Sequence, residues 1–184
     1  LDEVVEVLEF RENKLLFLGV PMILTTRKFM ATIQETMEEI LGRRGAMALM
    51  ERAAHKAAYE FALSQAKSFG LRGEKILRKY LSIASRRGWG RFDIKSIDLE
   101  SGKCEVEIRN SYCEEFKRGT ESKGYVWVGA IRGIMAYCLE STNKSMKLSG
   151  RETECIAKGD ELCRVVVRPV DASTNEANNQ SFIE

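Results

Sequence analysis

The stretch from Ala46 to Phe69 constrains this chain more than any other part of it. Alanine stands at positions 46, 48, 53, 54, 57, 58, 62 and 66, and Gly70 follows the last apolar residue. Alanine loses the least on entering a helix, and glycine is the usual residue just past a helix end. The spacing therefore predicts one long helix. Side chains this small let another backbone come close, so the helix should be central and tightly packed. Other elements must be arranged around it. Upstream, Thr26 can cap a helix carrying Phe29, Ile33, Met37 and Ile40 and ending near Gly42. Downstream, Ile76, Leu77, Tyr80, Leu81 and Ile83 mark a third helix over 74–85, stopped by Gly88-Trp89-Gly90. Before all three, residues 4–10 and 14–18 read as two short strands joined through Arg11, Glu12 and Asn13.

The second half opens with a period of two. Phe92, Ile94, Ile97 and Leu99 lead into Ser101-Gly102-Lys103, after which Cys104, Val106 and Ile108 alternate with Glu105, Glu107 and Arg109. That is a hairpin with one wet face. A helix is expected over 122–140, with Tyr125, Val128, Ile131, Met135 and Cys138 near one side, and strands over 150–157 and 162–168. Strands, helices, then strands around one helix indicate an α+β domain with helices packed on an antiparallel sheet. The 184 residues fit a single domain over 1–170, with hairpin and helices over 1–90 and a motif-bearing half over 91–170. The polar run over 171–184 is expected to be a disordered tail.

Composition narrows the function classes. Lys plus Arg total 29 against 27 Asp plus Glu, a formal charge of +2, which argues against direct nucleic-acid binding because phosphate binders carry a large cationic excess. No apolar run approaches the roughly 18 residues that span a bilayer, so no membrane partner is expected. Cysteine occurs five times, at 104, 113, 138, 155 and 163. Without a secretory pattern at the start, reduced thiols or a metal fit better than disulfides, and the cytoplasm is the expected compartment.

The most specific segment is Gly150-Arg-Glu-Thr-Glu-Cys155-Ile-Ala-Lys-Gly159-Asp-Glu-Leu-Cys163. Lys158-Gly159-Asp160 reads as a turn with Gly159 at positive φ. Pairing about that turn sets Cys155 opposite Cys163 on one face, where two thiols could share a metal, form a strained disulfide or simply pack in the core. Strict alternation puts Glu152 on the other face, and only a bend or bulge would bring it to the same point. Two thiolates and a carboxylate would supply three zinc ligands, with a fourth from elsewhere.

These residues, with Val106-Glu-Ile-Arg-Asn110-Ser111, the linker through Phe116 and the Gly129/Gly133 helix, resemble the 4-vinyl-reductase domain family. The resemblance covers residues 75–168 well and the N-terminal helices loosely. It implies a fold similar to the sensory domains of phenol- and xylene-responsive activators, to TRAPP trafficking subunits and to haem nitric-oxide sensors, the ligand-binding fold of NO signalling and Golgi transport. It further implies a buried pocket for a small apolar or aromatic ligand, and a homodimer. In the phenol-sensing relatives a Glu and two Cys of the closing hairpin hold zinc with a Cys on the preceding helix. Glu152, Cys155 and Cys163 match three of these positions. The fourth falls near Val128 or Gly129, which carry no ligand, and Cys138 is the available substitute.

For the pocket, Trp127, Phe116, Tyr112, Phe92, Ile131 and Met135 are the large apolar groups in the region where relatives bind ligand, and each could equally be a core residue. His55, the only histidine, is a candidate base or haem ligand, with a hydrogen-bonded structural role the simpler reading. Gly129 and Gly133 make a packing face rather than a phosphate cradle, and no Gly-x-Gly-x-x-Gly follows a strand. Arg43-Arg44 and Arg86-Arg87 stand at helix ends, where they complement the dipole or await an anion. The expected function is a small-molecule-binding sensory or regulatory domain, not an enzyme in itself, whose output passes to a separate protein. Two alternatives are an accessory enzyme or carrier in tetrapyrrole vinyl reduction and a TRAPP-like scaffold with a filled core.

Overall fold

The computed structural model describes residues 8–17 and 19–170. The first half of the expected opening strand and the expected disordered tail over 171–184 lie outside the described residues. Three short strands come first: β1 (Leu8–Arg11), β2 (Lys14–Phe17) and β3 (Val20–Met22). They form an antiparallel meander in the order β1-β2-β3. Glu12 and Asn13, both at positive φ (50° and 61°), make the first turn, the paired left-handed geometry that matches the twist of a two-residue hairpin.

The helix α1 (Arg27–Phe69) joins the first two expected helices. The Thr26 side chain accepts from the Phe29 N–H at 3.1 Å, and Gly70 closes the far end in the left-handed conformation. Gly42, at φ 68° and ψ 160°, kinks the helix where the sequence places a boundary. Before the kink the expected apolar stripe is only half covered, with Ile33 and Met37 half-buried. Ala31 and Gln34 are the buried residues there, whereas Phe29 is 56% exposed and Ile40 75%. This end of α1 is packed on one side only, so the rest of the stripe stays uncovered. Next come α2 (Glu74–Arg86), β4 (Arg91–Asp98) and β5 (Lys103–Arg109), then α3 (Tyr125–Glu140), β6 (Leu148–Glu154) and β7 (Cys163–Pro169). The second sheet runs β4-β5-β7-β6, antiparallel throughout.

One face of this sheet carries Cys104, Val106, Ile108, Cys163, Val165 and Val167, all buried. Helix α2 packs over β4, and α3 over β6 and β7. The other face is polar, with Arg164 bridging Glu105 at 3.1 Å and Glu107 at 2.9 Å. Helix α3 is buried nearly all round because α1 lies across its back. The contact is between backbones. A Cβ on Gly129 would stand 2.2 Å from the Glu51 carbonyl oxygen, and one on Gly133 would stand 2.3 Å from that of His55. The alanine-rich stretch of α1 and the Gly129/Gly133 face of α3 are thus two halves of one close crossing.

Gly133→Ala is expected to lower stability by about 2 kcal/mol, in the range of overpacked cores, and Gly119→Ala far less despite its positive φ, since a Cβ there meets nothing within 4 Å. Urea unfolding of the two variants checks the contrast.

Candidate metal centre and cavity

Four potential ligands converge where the second sheet meets the start of α3. The Sγ atoms of Cys113, Cys155 and Cys163 and a carboxylate oxygen of Glu152 all lie within 4.8 Å of one another. Each arrives from a different local device. Cys113 sits on a 3-10 turn (Tyr112–Glu115) that Ser111 caps after the end of β5. Glu152 reaches inward because the β6–β7 register shifts between Glu152 and Glu154, a bulge that overrides strict alternation. Cys155 leads into a second 3-10 turn (Ile156–Lys158), closed by Gly159 at φ 119°. Cys163 opens β7.

The closing hairpin is therefore a short knuckle rather than a plain turn. The Cys155 N–H donates to Asp160 Oδ2 at 2.7 Å, and the Asp160 N–H donates back to the Cys155 carbonyl at 3.2 Å. The linker after Phe116 clasps it from outside: Gly119 and Thr120 N–H groups both donate to the Ala157 carbonyl (2.8 and 3.1 Å), and Arg118 donates to the Gly159 carbonyl at 2.9 Å.

The residues fit a tetrahedral ion. Sulfurs held at about 2.3 Å from zinc lie about 3.8 Å apart, and the Cys155 and Cys163 sulfurs are 3.9 Å apart, far longer than a disulfide bond. Backbone donors already point at two of them, Lys123 N–H at Cys155 Sγ and Ile156 N–H at Cys163 Sγ, both at 3.4 Å. Glu152 Oε2 accepts from the Gly124 N–H at 2.9 Å, but its buried Oε1 has no hydrogen-bond partner among the described residues. An orphaned carboxylate oxygen beside three thiols fits the donor set of a cation. Gly124 is part of the cradle, since a Cβ there would fall 2.2 Å from that same oxygen.

The proton affinities have the same physical origin. Burial, and then the charge on Cys155, push the Glu152 carboxyl up to about 8. Cys155 is the thiol that ionises first, held low by hydrogen bonds from Cys113 and Cys163 and by the Lys123 and Ala157 backbone against the cost of burial. Cys113 is pushed up by its bonds to Cys155 and Cys163 and by burial. A bound cation reverses this ordering, because a coordinating thiol is deprotonated outright.

Lys123 braces the corner. Its carbonyl accepts from Gln34 Nε2 at 3.0 Å and faces the Tyr112 hydroxyl at 2.8 Å, its N–H holds Cys155, and its ammonium pairs with Glu38. Tyr112 and Gln34 are fully buried. The Tyr112 hydroxyl also lies 3.0 Å from Gln34 Oε1, so its one proton serves two acceptors. This network ties α1, the 3-10 turn and the approach to α3 to one ligand.

The fourth member of the cluster differs from the sequence expectation. Cys138 lies far along α3 beside Cys104, both thiols pushed up to about 12, chiefly by burial. Cys113 takes the place instead. Strand pairing brings it there: β5 pairs with β7 so that Ile108 opposes Cys163, and residues just past the end of β5 then lie beside that cysteine. His55 Nδ1 accepts from Arg132 Nε at 3.4 Å.

A cavity of about 280 Å³ lies on the other flank of α3, under the meander. Ala54, Phe61, Tyr80, Trp89 and Trp127 are among its walls, and Val20 and Met22 of β3 form a lid. A neighbouring hollow of about 360 Å³ opens between the meander and the start of α1, sharing Met22, Arg87 and Trp89. Of the six residues singled out for the pocket, Trp127 lines this cavity. Tyr112, Phe116, Ile131 and Met135 are buried in the core beyond it. Phe92 packs edge-on against Trp127, with ring centroids 4.3 Å apart. β3, Phe61, Tyr80 and Trp89 had no place in the sequence-level pocket, since nothing local reveals that the meander folds back over α1 and α2.

Comparison with known proteins follows this geometry. A family described as a domain of unknown function, DUF5943, matches residues 13–95. No curated protein matches. Among solved structures the chain is similar to the phenol-responsive sensory domain of the transcription activator PoxR with phenol, at a TM-score of 0.77 and 18% identity over 100% of this chain and 95% of that one. It is similar to trafficking protein particle complex subunit 3 from Naegleria fowleri covalently bound to palmitic acid, at 0.56 and 12% over 79% and 95%. It is also similar to a vinyl-4-reductase family protein from Methanocaldococcus jannaschii, at 0.50 and 16% over 82% and 84%. The α+β fold is thus the one the sequence resemblance implied.

Tyr112→Phe takes its donor from the buried Gln34 Oε1, while the Lys123 carbonyl keeps Gln34 Nε2, and is expected to cost about 1–2 kcal/mol of stability. Thermal unfolding measures it, with Tyr59→Phe as a surface control; that hydroxyl pairs with Glu140 near solvent.

Proposed function

We propose that this domain is a receptor for a small, largely apolar or aromatic molecule, acting as a sensory or regulatory unit rather than a self-sufficient enzyme. The observation that carries the reading is the cavity of about 280 Å³ between α1, α2, α3 and β3, walled by small and aromatic side chains, close to the roughly 300 Å³ at which small-molecule sites begin. Two structures of the same fold, by their descriptions, hold apolar or aromatic molecules: phenol in one and palmitic acid in the other. The lid is the least anchored part of the wall, three residues of β3 hydrogen-bonded only to β2 of a small meander. A ligand that packs better under one position of that lid biases the domain toward it, which is all that a population shift requires. A homodimer belongs to this reading. Phe29, Ile40, Leu41 and Leu49 are exposed along α1, and apolar surface of that kind marks an interaction face. The output passes to a separate protein, and the domain works in the cytoplasm; no helix among the described residues is long and apolar enough to cross a membrane.

Zinc completes the same reading as a structural ion. Cys113, Glu152, Cys155 and Cys163 would hold it, and four protein donors in a closed site leave no open position for substrate. Bound there, it supplies cross-linking, fastening the end of β5, the closing knuckle and the N-terminus of α3 into one corner.

Two measurements test the proposal. Native mass spectrometry of gently purified protein is expected to show a retained small apolar molecule that is lost on denaturation, and Ala54→Phe, which fills the cavity, is expected to abolish retention. A bare protein whose properties are indifferent to Ala54→Phe sinks the receptor reading. Elemental analysis is expected to find one zinc per chain, lost in Cys113→Ser and kept in Cys138→Ser. The reverse pattern would return the fourth ligand to α3.

A further inference from the structure

Arg87 is the one charged group in the cavity wall. It lines both hollows, at the point where they meet. The sequence offers two uses for a basic pair at this helix end, and the structure separates the two arginines. Arg86 is exposed, while Arg87 is half-buried, with its guanidinium 5.5 Å over the Phe61 ring. A ring face steadies a cation but does not neutralise it. No carboxylate among the described residues forms an ion pair with Arg87.

The helix end does not need this guanidinium either. The Ile83, Ala84 and Ser85 carbonyls take the N–H groups of Arg87, Trp89 and Gly88, at 3.0, 3.3 and 3.1 Å. The Gly88 carbonyl takes Arg27 Nε at 2.7 Å. The backbone acceptors around Arg87 are therefore already in use. A guanidinium stays charged at any physiological pH and carries five donors, so this one is a partly desolvated cation with no ion-pair partner among the described residues.

The neighbouring wall suits an anion. Tyr80, also in the wall, is kept neutral by burial, which pushes its phenol up to about 12 against the pull of Arg87. It adds no competing negative charge. The remaining wall is alanine, valine, methionine and aromatic surface. Arg27 and Arg86 line only the neighbouring hollow, and Arg27 is already engaged by Glu114 and the Gly88 carbonyl. A fork-shaped cation in an otherwise apolar wall matches a carboxylate, which it grips by two parallel hydrogen bonds.

We infer that the ligand of this cavity is a monocarboxylate with an apolar body, aromatic or acyl, whose carboxylate pairs with Arg87 while its body lies against Phe61, Trp89 and Trp127. This rests on the receptor reading above and specifies the chemical class of its ligand. It also separates this chain from recognition of a neutral aromatic, which gains nothing from an unpaired cation.

The chain's two tryptophans, Trp89 and Trp127, both line the cavity, so intrinsic fluorescence reports occupancy directly. Matched pairs that differ only in charge serve as probes: phenylacetate with phenylacetamide, and decanoate with decanamide. The acid of at least one pair is expected to bind at least about tenfold more tightly than its amide. Arg87→Met is expected to remove that preference while leaving amide affinity within about twofold. Equal affinity for acid and amide, or an acid preference that survives in Arg87→Met, overturns the inference and leaves the receptor reading standing. Binding by no member of either pair, with no response to Ala54→Phe, overturns both. Circular dichroism establishes that Arg87→Met is folded; should it not be, the acid–amide comparison in the unaltered protein decides alone.

Discussion

The crossing of α1 over α3 is the constraint from which the remaining architecture follows. Gly129 and Gly133 present bare backbone to the carbonyls of Glu51 and His55, and no side chain fits between. Two helices that close must share a face of small residues, and the alanines of α1 supply the other half of it. Because α1 covers its back, α3 can be apolar on nearly every side, as a helix buried between two layers must be. The sheet then needs only one apolar face, and its other face is free to carry the Arg164, Glu105 and Glu107 cluster.

The same crossing sets the two candidate sites on opposite flanks of α3. At its N-terminal edge, Gly124 leaves room for the Glu152 carboxylate, and Lys123 turns its N–H toward Cys155. Along its side, Val126, Trp127 and Ala130 face the cavity. A metal at the first position and a ligand at the second would bear on one rigid helix, with Trp127 only three residues past the Gly124 that contacts Glu152. The cysteine corner is braced by the buried network of Tyr112, Gln34 and Lys123. The cavity is roofed by Val20 and Met22 of the three-residue strand β3.

Much of this was legible in the residues, for reasons that are local. The Thr26 cap, the Gly70 stop, the period of two from Phe92 to Ile108 and the turn at Gly159 each depend on contacts within a few residues, and each element lies where its pattern puts it. Glu152 and the cysteine pair were also legible, because a short hairpin brings its own arms together and a bulge was the single condition for the carboxylate to join them. Cys113 was not, because it approaches through strand pairing between residues some fifty positions apart. The stripe of Phe29 and Ile40 misled for a related reason: periodicity says that one face of a helix is apolar, not what covers it.

By itself, then, the sequence determined most of the helices and strands, that the alanine-rich part of α1 must pack closely against another element, and that a hairpin bearing two thiols closes the sheet. Each of these follows from steric size, backbone preference or hydrophobic period, which are properties of near neighbours. Tertiary structure alone decided that Cys113 rather than Cys138 joins the cluster of Glu152, Cys155 and Cys163, that β3 roofs a hollow beside Trp127, and that Arg87 rather than Arg86 lines that hollow. Those outcomes depend on how separate layers stack, and the direction in which a side chain points is settled only when the neighbouring layer is in place.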